Sequence, residues 1–381
     1  MRGHIAKKGR RYYPVVDLGR DESGKRRRKW GDGHDTKRSA ERALTNILAK
    51  LDQGLYFIPS KVLLGEFLDE WLTAVRPRLR ETTFESYSRN LNLHVVPRIG
   101  HVRLQALTAR RLNTLYGELL DSGRRDGRGG LSPRTVRYIH TMLHTALRDA
   151  ERWGMASRNV ASMANPPTLR RGEGQIHAWD ARQLATFLAS VKSDRLYAAF
   201  VLAATSGMRR GELLGLRWSD VDLDAAVITV KRALVTVRHE LLFSPPKTAH
   251  GRRPIPLDSV TVGALRGHRR LQAEERLAMG ADYQDGDLLF ARQDGTPLHP
   301  EAFAKVFDRR VSRSALPRIR FHDLRHTYAT IALMAGVHPK VVSERLGHSG
   351  IAITLDTYSH VLPSLQRGAA DVVAEVVFGA S

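Results

Sequence analysis

The chain has 381 residues, of which 42% are hydrophobic, so it is long enough for two or three domains with substantial cores. Its 61 lysines and arginines outnumber 39 aspartates and glutamates, and the formal net charge of +22 favours a polyanionic partner such as nucleic acid. The absence of cysteine excludes disulfides, thiolate metal sites and a cysteine nucleophile.

The hydrophobic pattern predicts neither a membrane-spanning helix nor a secretory signal peptide. No apolar stretch approaches the ~20 residues that a spanning helix needs. The first twenty residues contain no apolar segment of the kind found in signal peptides. We therefore expect a cytoplasmic protein with no membrane association.

The first sixty residues predict a small basic module. Residues 10–18 and 25–30 have the composition of strands, and a helix is expected from Lys37 to about Leu51. The basic run at 25–29 is as typical of a solvated arm as of groove binding. The interleaved aromatic residues favour DNA; they are Tyr12, Tyr13 and Trp30.

The next block, residues 60–165, has an entirely helical pattern. An apolar stripe from Leu64 to Val75 ends before Pro77. Further helices are expected over residues 83–94, after a cap at Thr108, and after a cap at Ser132 with Pro133 in the first turn. These stripes indicate core packing and not a site.

A breaker-rich stretch at 166–176 predicts a linker. Beyond it, alternating residues at 227–237 and 252–257 indicate a small antiparallel sheet among helices. The sequence therefore predicts a mostly α fold with minor antiparallel β structure. The expected parts are domains at 1–58, 60–165 and 177–363 and a tail at 364–381.

Phosphodiester cleavage without a metal needs cations, an in-line nucleophile and an acid for the departing oxygen. In the segment 205–212, Gly207 is expected to end one helix and Arg209 to open the next, which points the guanidinium at an anion. By itself this pattern is more often a surface arginine. Glu212, one turn on, is placed to orient the guanidinium.

A lysine lies near the tip of a turn between two strand-like runs. Loop lysines are usually solvated. In a site crowded with guanidiniums, however, Lys247 would have a lowered pKa and could protonate a leaving alkoxide.

The segment 321–330 carries the strongest signal. His322 and Arg325 are three residues apart and share a helical face, and a second guanidinium allows a bidentate grip on phosphate. His322 and His326 also have the spacing of a zinc helix. We discount a metal site because the expected glutamate is absent and an arginine on that face would repel a divalent ion.

Two further residues complete the candidate set. His348 follows a helix-ending glycine and could hydrogen-bond a phosphate oxygen. Tyr358 lies ten residues later, and a positioned tyrosine hydroxyl can act as a nucleophile. A lone tyrosine is more often structural, so its role depends on the other residues.

In this order and spacing, these residues resemble the catalytic set of the tyrosine recombinases, or phage integrases. The resemblance extends from about residue 178 to residue 360. Three segments in this range resemble sequence motifs of the family: Gly-Met-Arg-Arg-Gly-Glu-Leu, His-Asp-Leu-Arg-His-Thr-Tyr-Ala-Thr and Leu-Gly-His-Ser. Residues 60 to about 164 are similar in pattern to the family's core-binding domain. The first sixty resemble its arm-binding domain, a three-stranded sheet with a helix.

The resemblance implies a mechanism and roles for individual residues. Arg209 and Arg325 would clamp the scissile phosphate, while His322 and His348 hydrogen-bond it and assist proton movement. Tyr358 would attack, leaving a 3′-phosphotyrosine. Lys247 would protonate the departing 5′ oxygen, and the base role is open between histidine and lysine. Neither a metal nor another cofactor, nor ATP, is implied.

The resemblance also implies partners. The family works as a homotetramer on two double-stranded DNA attachment sites, in the integration or excision of a mobile element. A DNA-bending accessory protein and a directionality factor are implied as well. A thin apolar stripe in the tail would pack on a neighbouring protomer or on its own domain; it comprises Leu365, Ala369, Val372, Val373 and Val376.

Three other interpretations account for part of the pattern. Residues 335–347 resemble a helix-turn-helix, as in a DNA-binding regulator. A type IB topoisomerase shares phosphotyrosine chemistry but relaxes DNA without choosing sites. The N-terminal basic module argues against that enzyme and against a chromosome-dimer resolvase, neither of which needs a second grip on DNA.

Overall fold

The computed structural model describes residues 3–20, 24, 26–52, 60–169, 177–246, 251–358, 374 and 376–379. The chain divides into two units, Met1–Glu173 and Gly174–Ser381. This division falls within the predicted linker, of which residues 170–176 lie outside the described residues. The boundary predicted near residue 59 and the tail boundary stay predictions.

The first unit begins with an antiparallel sheet covered by one helix. Its elements are β1 (Gly3–Lys8), β2 (Arg11–Arg20), β3 (Arg26–Trp30) and α1 (Lys37–Asp52), with the strands in the order β1-β2-β3. Val15 and Val16 of β2 and Ala40 of α1 are buried between the two layers. Both strands and the helix expected from the pattern are confirmed, and β1 is the third strand that only the resemblance implied.

The rest of the first unit is helical, as predicted. The helices are α2 (Leu64–Val75), α3 (Glu81–Asn90), α4 (Val96–Ile99), α5 (Ala109–Ser122) and α6 (Pro133–Arg152). A π-helical turn, Leu91–Val95, joins α3 to α4, so the helix expected at 83–94 is longer at both ends. The predicted caps are confirmed, because Thr108 and Ser132 accept hydrogen bonds from the amides three residues on, each at 3.2 Å.

The apolar stripes of these helices meet in one core. Phe67 and Trp71 of α2, Leu115 of α5 and Leu143 of α6 are all essentially inaccessible to solvent. The Trp71 indole donates to Asp149 Oδ2 at 2.9 Å, so its polar edge is satisfied within the core. The prediction that these residues pack in a core agrees with their burial.

The second unit is also built mainly of helices. They are α7 (Ala181–Ser190), α8 (Tyr197–Ser206), α9 (Arg210–Leu214), α10 (Ser259–Met279), α11 (Pro300–Arg313), α12 (Asp323–Met334), α13 (Pro339–Leu346) and α14 (Ile351–Thr357). Helix α8 is apolar on nearly all sides and is buried accordingly. An aromatic cluster forms the centre of the core; it includes Trp179, Phe187, Phe200, Phe303, Phe307 and Phe321.

The strands of the second unit form two sheets where one was expected. Strands β4 (Val221–Asp222), β5 (Val227–Val230) and β8 (Arg253–Pro256) make one antiparallel sheet, whereas β6 (Ala233–Val237) and β7 (Glu240–Ser244) make a separate hairpin. The alternating stretch at 227–237 therefore splits. Lys231 and Arg232 interrupt it because both form ion pairs with buried Asp220, at 3.1 and 3.4 Å.

The predicted fold class, mostly α with minor antiparallel β structure, is confirmed. Within the described ranges, no helix has both the length and the apolar character needed to cross a bilayer. Over the same residues, no group of three or more His, Cys, Asp or Glu side chains is arranged to hold a metal ion.

Candidate active site for phosphodiester chemistry

Arg209 lies at the junction of α8 and α9, where the sequence predicted a helix end followed by a helix start. Gly207 ends α8 with φ of +64°, and a Cβ there would lie 2.6 Å from the Leu346 side chain. Arg209 precedes α9. Its backbone amide donates to Glu212 Oε2 at 3.0 Å and its Nη1 donates to Oε1 at 2.8 Å. The expectation that Glu212 orients this guanidinium agrees with this geometry.

Arg325 is held deep beside the same junction. It lies in the first turn of α12 and is only 4% exposed, and its Nη1 donates to the Gly207 carbonyl at 2.9 Å. Desolvation by burial, followed by the charge of Arg209, lowers the pKa of Arg325 to about 9, which leaves it cationic at neutral pH. The two arginines predicted to converge are therefore within electrostatic reach of one another.

The two candidate histidines flank this pair and are held neutral. His322 directly precedes α12. Nδ1 of His348 lies within hydrogen-bond distance of Thr354 Oγ1, at 2.8 Å, so a ligand would meet Nε2 of His348. The pKa of each imidazole is lowered to about 4, mainly by desolvation. Neighbouring positive charge contributes to this value, from His326 and Arg325 at His322 and from Arg325 and Arg209 at His348. His322 is nevertheless exposed to solvent on one side of the site, so a ligand can reach it. Both rings are poised to gain a proton when a negative charge arrives.

Tyr358 follows α14 and is 1% exposed. Its hydroxyl lies 2.9 Å from His326 Nδ1. Burial raises the pKa of Tyr358 to about 12, and the nearby charge of Arg325 partly offsets that effect. The phenol is therefore protonated at neutral pH and needs a proton acceptor before it can act as a nucleophile.

Sequence reasoning missed two residues of this site. His326 was considered only as a metal ligand, yet it contacts the tyrosine hydroxyl. Arg253 was read only as part of a strand, yet it is 7% exposed and donates to Glu212 Oε2 at 3.0 Å. No spacing rule connects either contact, since His326 is 32 residues from Tyr358 and Arg253 is 41 residues from Glu212.

The candidate set is thus brought together with one exception. Arg209, His322, Arg325, His348 and Tyr358 lie around one cluster, and the carbonyls of Gly207 and Gly347 accept hydrogen bonds from its arginines. Lys247 lies outside the described residues, between the end of β7 and the start of β8. The apolar tail residues are also outside them, except Val376.

Three protein-family models match the chain in order along its length. The Arm DNA-binding domain matches residues 4–51, the phage integrase N-terminal SAM-like domain matches 63–120, and the phage integrase family model matches 176–364. Together they cover most of the chain. The chain belongs to the tyrosine recombinase family. It is accordingly a site-specific DNA recombinase, an enzyme that breaks and rejoins DNA strands.

Relatives cover nearly the full length of this recombinase. It is 29% identical over 392 residues to a "Tyrosine recombinase XerC-like" protein of Caldanaerobacter subterraneus, with 98% of each chain covered. The Tn1549 transposon integrase, solved with circular-intermediate DNA, is similar in fold, with a TM-score of 0.67 at 22% identity over 82% of this chain and 99% of that one. A lambda integrase tetramer bound to a Holliday junction gives a TM-score of 0.56 at 19% identity, over 91% and 95%.

The family assignment bears on the helix-turn-helix interpretation of the sequence. The segment 335–347, which resembles a helix-turn-helix, comprises the turn after α12 and the helix α13. In the recombinase, however, α12 carries Arg325 and His326, and the residue after α13 is Gly347, whose carbonyl accepts from Arg209 Nη2 at 3.2 Å. This pair of helices therefore builds the candidate site.

Proposed function

We propose that this recombinase cuts and rejoins DNA by transesterification at Tyr358. The phenolic oxygen attacks the scissile phosphorus, the bond from phosphorus to the 5′ oxygen breaks, and a 3′-phosphotyrosine remains. An ester bond to the tyrosine oxygen replaces the ester bond to the 5′ oxygen, so attack by a 5′ hydroxyl on the phosphotyrosine re-forms the DNA bond and releases the tyrosine without ATP. The observation that carries the proposal is the Tyr358 hydroxyl held 2.9 Å from His326, beside buried Arg325.

Each of the other residues has a role in this proposal. Arg209 and Arg325 bind the non-bridging oxygens and stabilise the charge that develops on them, so the reaction needs no metal. His322 and His348 hydrogen-bond the same phosphate. Lys247 protonates the departing 5′ oxygen, a role that rests on its match to the family pattern alone.

The phenolic proton needs an acceptor, and the family pattern leaves that role open between histidine and lysine. His326 Nδ1 is within hydrogen-bond distance of the proton. We therefore include His326 in the proposal, as the group that holds the hydroxyl and receives its proton. Microscopic reversibility then makes it the donor to the tyrosine when the strand is rejoined.

The biological setting is proposed from the same relatives. The recombinase integrates or excises a mobile element in the cytoplasm, at double-stranded attachment sites, as a homotetramer that passes through a Holliday junction. The net charge of +22 suits a polyanionic substrate, and a lambda integrase tetramer has been solved on such a junction. A DNA-bending protein and a directionality factor would complete the reaction. The basic module at 1–58 would bind arm sites, and residues 60–165 would bind the core site.

A nicked suicide substrate tests the proposal. Cleavage near the nick releases a short strand, so rejoining fails and the covalent adduct accumulates on a denaturing gel. We expect wild type to form the adduct and Tyr358→Phe to form none, a loss of more than ~10³-fold, because the nucleophilic oxygen is absent. DNA affinity should stay within ~3-fold, because the phenol is buried and contributes little to binding.

Two outcomes would reject this assignment. Adduct formation by Tyr358→Phe would show that another residue is the nucleophile. The absence of any adduct with the wild-type protein, on DNA that it binds, would indicate a regulator.

A further inference from the structure

Arg253, the first residue of β8, is a charged side chain buried beside the candidate site. It makes four hydrogen bonds to three partners. Nη2 donates to Glu212 Oε2 at 3.0 Å and Nη1 to Oε1 at 3.4 Å, Nη1 also donates to the Gly251 carbonyl at 3.1 Å, and Nε donates to the Arg345 carbonyl at 2.7 Å. A solvated surface arginine would be neither buried nor held by four hydrogen bonds within the protein, so the placement of Arg253 requires a specific explanation.

Glu212 is the first of those partners, and Arg209 and Arg253 share it. Its side chain is 4% exposed, and each of its oxygens accepts from both arginines. Burial would raise the pKa of Glu212, but the hydrogen bond and charge of Arg253, followed by the charge of Arg209, lower it. One carboxylate between two guanidiniums leaves one net positive charge. Without Arg253, Glu212 would neutralise Arg209, the group expected to face the phosphate.

The second link runs to the turn that carries His348. Arg253 Nε binds the Arg345 carbonyl, and Arg209 Nη2 binds the Gly347 carbonyl at 3.2 Å. Gly347 has φ of +67°, and a Cβ there would lie 2.8 Å from Arg253 Nη1. The turn therefore packs directly on the Arg253 guanidinium, and any side chain at Gly347 would displace it.

We propose that Arg253 is a positioning residue for strand cleavage, which acts through Arg209 and His348 without touching DNA. It anchors Glu212 so that the carboxylate aligns Arg209 without cancelling its charge, and it fixes the turn that places His348. This inference rests on the function proposed above. Through Arg253, the strand β8 is attached to the arginine cluster.

A double-mutant cycle tests whether Arg253 acts through Arg209. We expect Arg253→Met to slow single-turnover cleavage at saturating DNA by ~10²-fold, with the Kd for DNA within ~3-fold of wild type. Arg209→Lys, which cannot keep the same geometry, should also be slow. The double variant should be clearly less slow than the product of the two single losses, because the part of the effect that acts through the aligned Arg209 guanidinium is then already lost.

Arg195 offers a matched control. It is a half-buried arginine in the same unit, bound to Glu275 and, at 2.9 Å, to the Ala291 carbonyl, and none of these groups belongs to the site. Arg195→Met should lower the melting temperature but leave cleavage by the folded protein within ~3-fold of wild type, and its small effect should add to that of Arg209→Lys.

Arg253→Lys covers the case in which Arg253→Met fails to fold. It keeps the charge and the apolar stem but cannot span Glu212 and the Arg345 carbonyl together, so we expect an intermediate loss of ~10-fold at unchanged Kd. Losses that multiply in the double variant, or wild-type cleavage by both Arg253 variants, would overturn the inference. Those results would leave the proposed function intact, whereas a wild-type protein with no covalent adduct would overturn the proposed function itself.

Discussion

The core of α2 to α6 and the candidate site in the second unit are both buried, but they bury different chemistry. Between the helices of the first unit the inaccessible side chains are almost all apolar, and its buried polar residues, His94 and Asn159, keep 9% and 8% exposure. In the second unit Glu212, Arg253 and Arg325 are equally or more deeply buried and carry formal charges.

The difference between apolar burial and buried charge distinguishes residues that stabilise the fold from residues that serve the function. Apolar burial stabilises a fold at roughly 25 cal/mol per Å², whereas an ion taken out of water costs several kcal/mol unless it is paired and hydrogen-bonded. A fold selected only for stability would place leucine where Arg325 stands. The concentration of buried charges at one place therefore indicates a site of chemistry, whereas the helical core supports the fold.

One substitution in each region tests most directly whether the site serves cleavage and the helical core serves stability. Arg325→Lys should slow cleavage by ~10²- to 10³-fold, because a lysine cannot reproduce the bidentate contact with phosphate, while thermal stability changes little. Leu143→Ala, in the helical core, should instead lower the free energy of unfolding by ~2–5 kcal/mol and leave the cleavage rate of the folded protein near wild type. Suicide-substrate kinetics and denaturant unfolding measure the two effects; a stability loss alone for Arg325→Lys would erase the distinction.

A smaller effect is expected from the group beside the nucleophile. His326→Leu removes the acceptor of the phenolic proton, so cleavage should fall by ~10- to 10²-fold at pH 7. Because the pKa of Tyr358 is raised to about 12, the rate of the variant should climb with pH as the phenol ionises, more steeply than wild type between about pH 7 and 10. His326→Gln, which can still hydrogen-bond, should retain more activity. A wild-type pH profile for His326→Leu would remove the proton-acceptor role.

The smallest expected effect is an uptake of protons on binding DNA. The pKa values of His322 and His348 are lowered from 6.5 to about 4, and a bound phosphate raises them by favouring the charged form. The complex therefore holds more protons than the free protein between about pH 4 and 6.5, and DNA affinity should increase as pH falls through that window.

Calorimetry in two buffers with different heats of ionisation measures this uptake directly. His348→Asn should reduce the proton uptake. The control is His299→Asn, at the cap of α11, which should leave the uptake unchanged. Asparagine also caps helices, so this control substitution should preserve the helix. Proton release on binding, or an uptake unchanged by His348→Asn, would contradict the prediction.

Local patterns gave correct helices and caps where the physics is local. The stripe at Leu64–Val75, the cap at Thr108 and the helix end at Gly207 each depend on residues within four positions of one another. The alternating run at 227–237 misled because Asp220, outside it, draws Lys231 and Arg232 into ion pairs and divides the sheet. The contacts of His326 and Arg253 were missed for the same reason, since their partners are distant in sequence.

The sequence by itself determined the fold class, the family and the identity of six candidate residues, because sequence motifs and helical periodicity are properties of neighbouring positions. Only the tertiary structure decided which charges share a carboxylate, which imidazole meets the tyrosine hydroxyl and which guanidinium supports the turn before His348. Those pairings depend on packing between residues up to 92 positions apart, as between Arg253 and Arg345, and no local pattern encodes them.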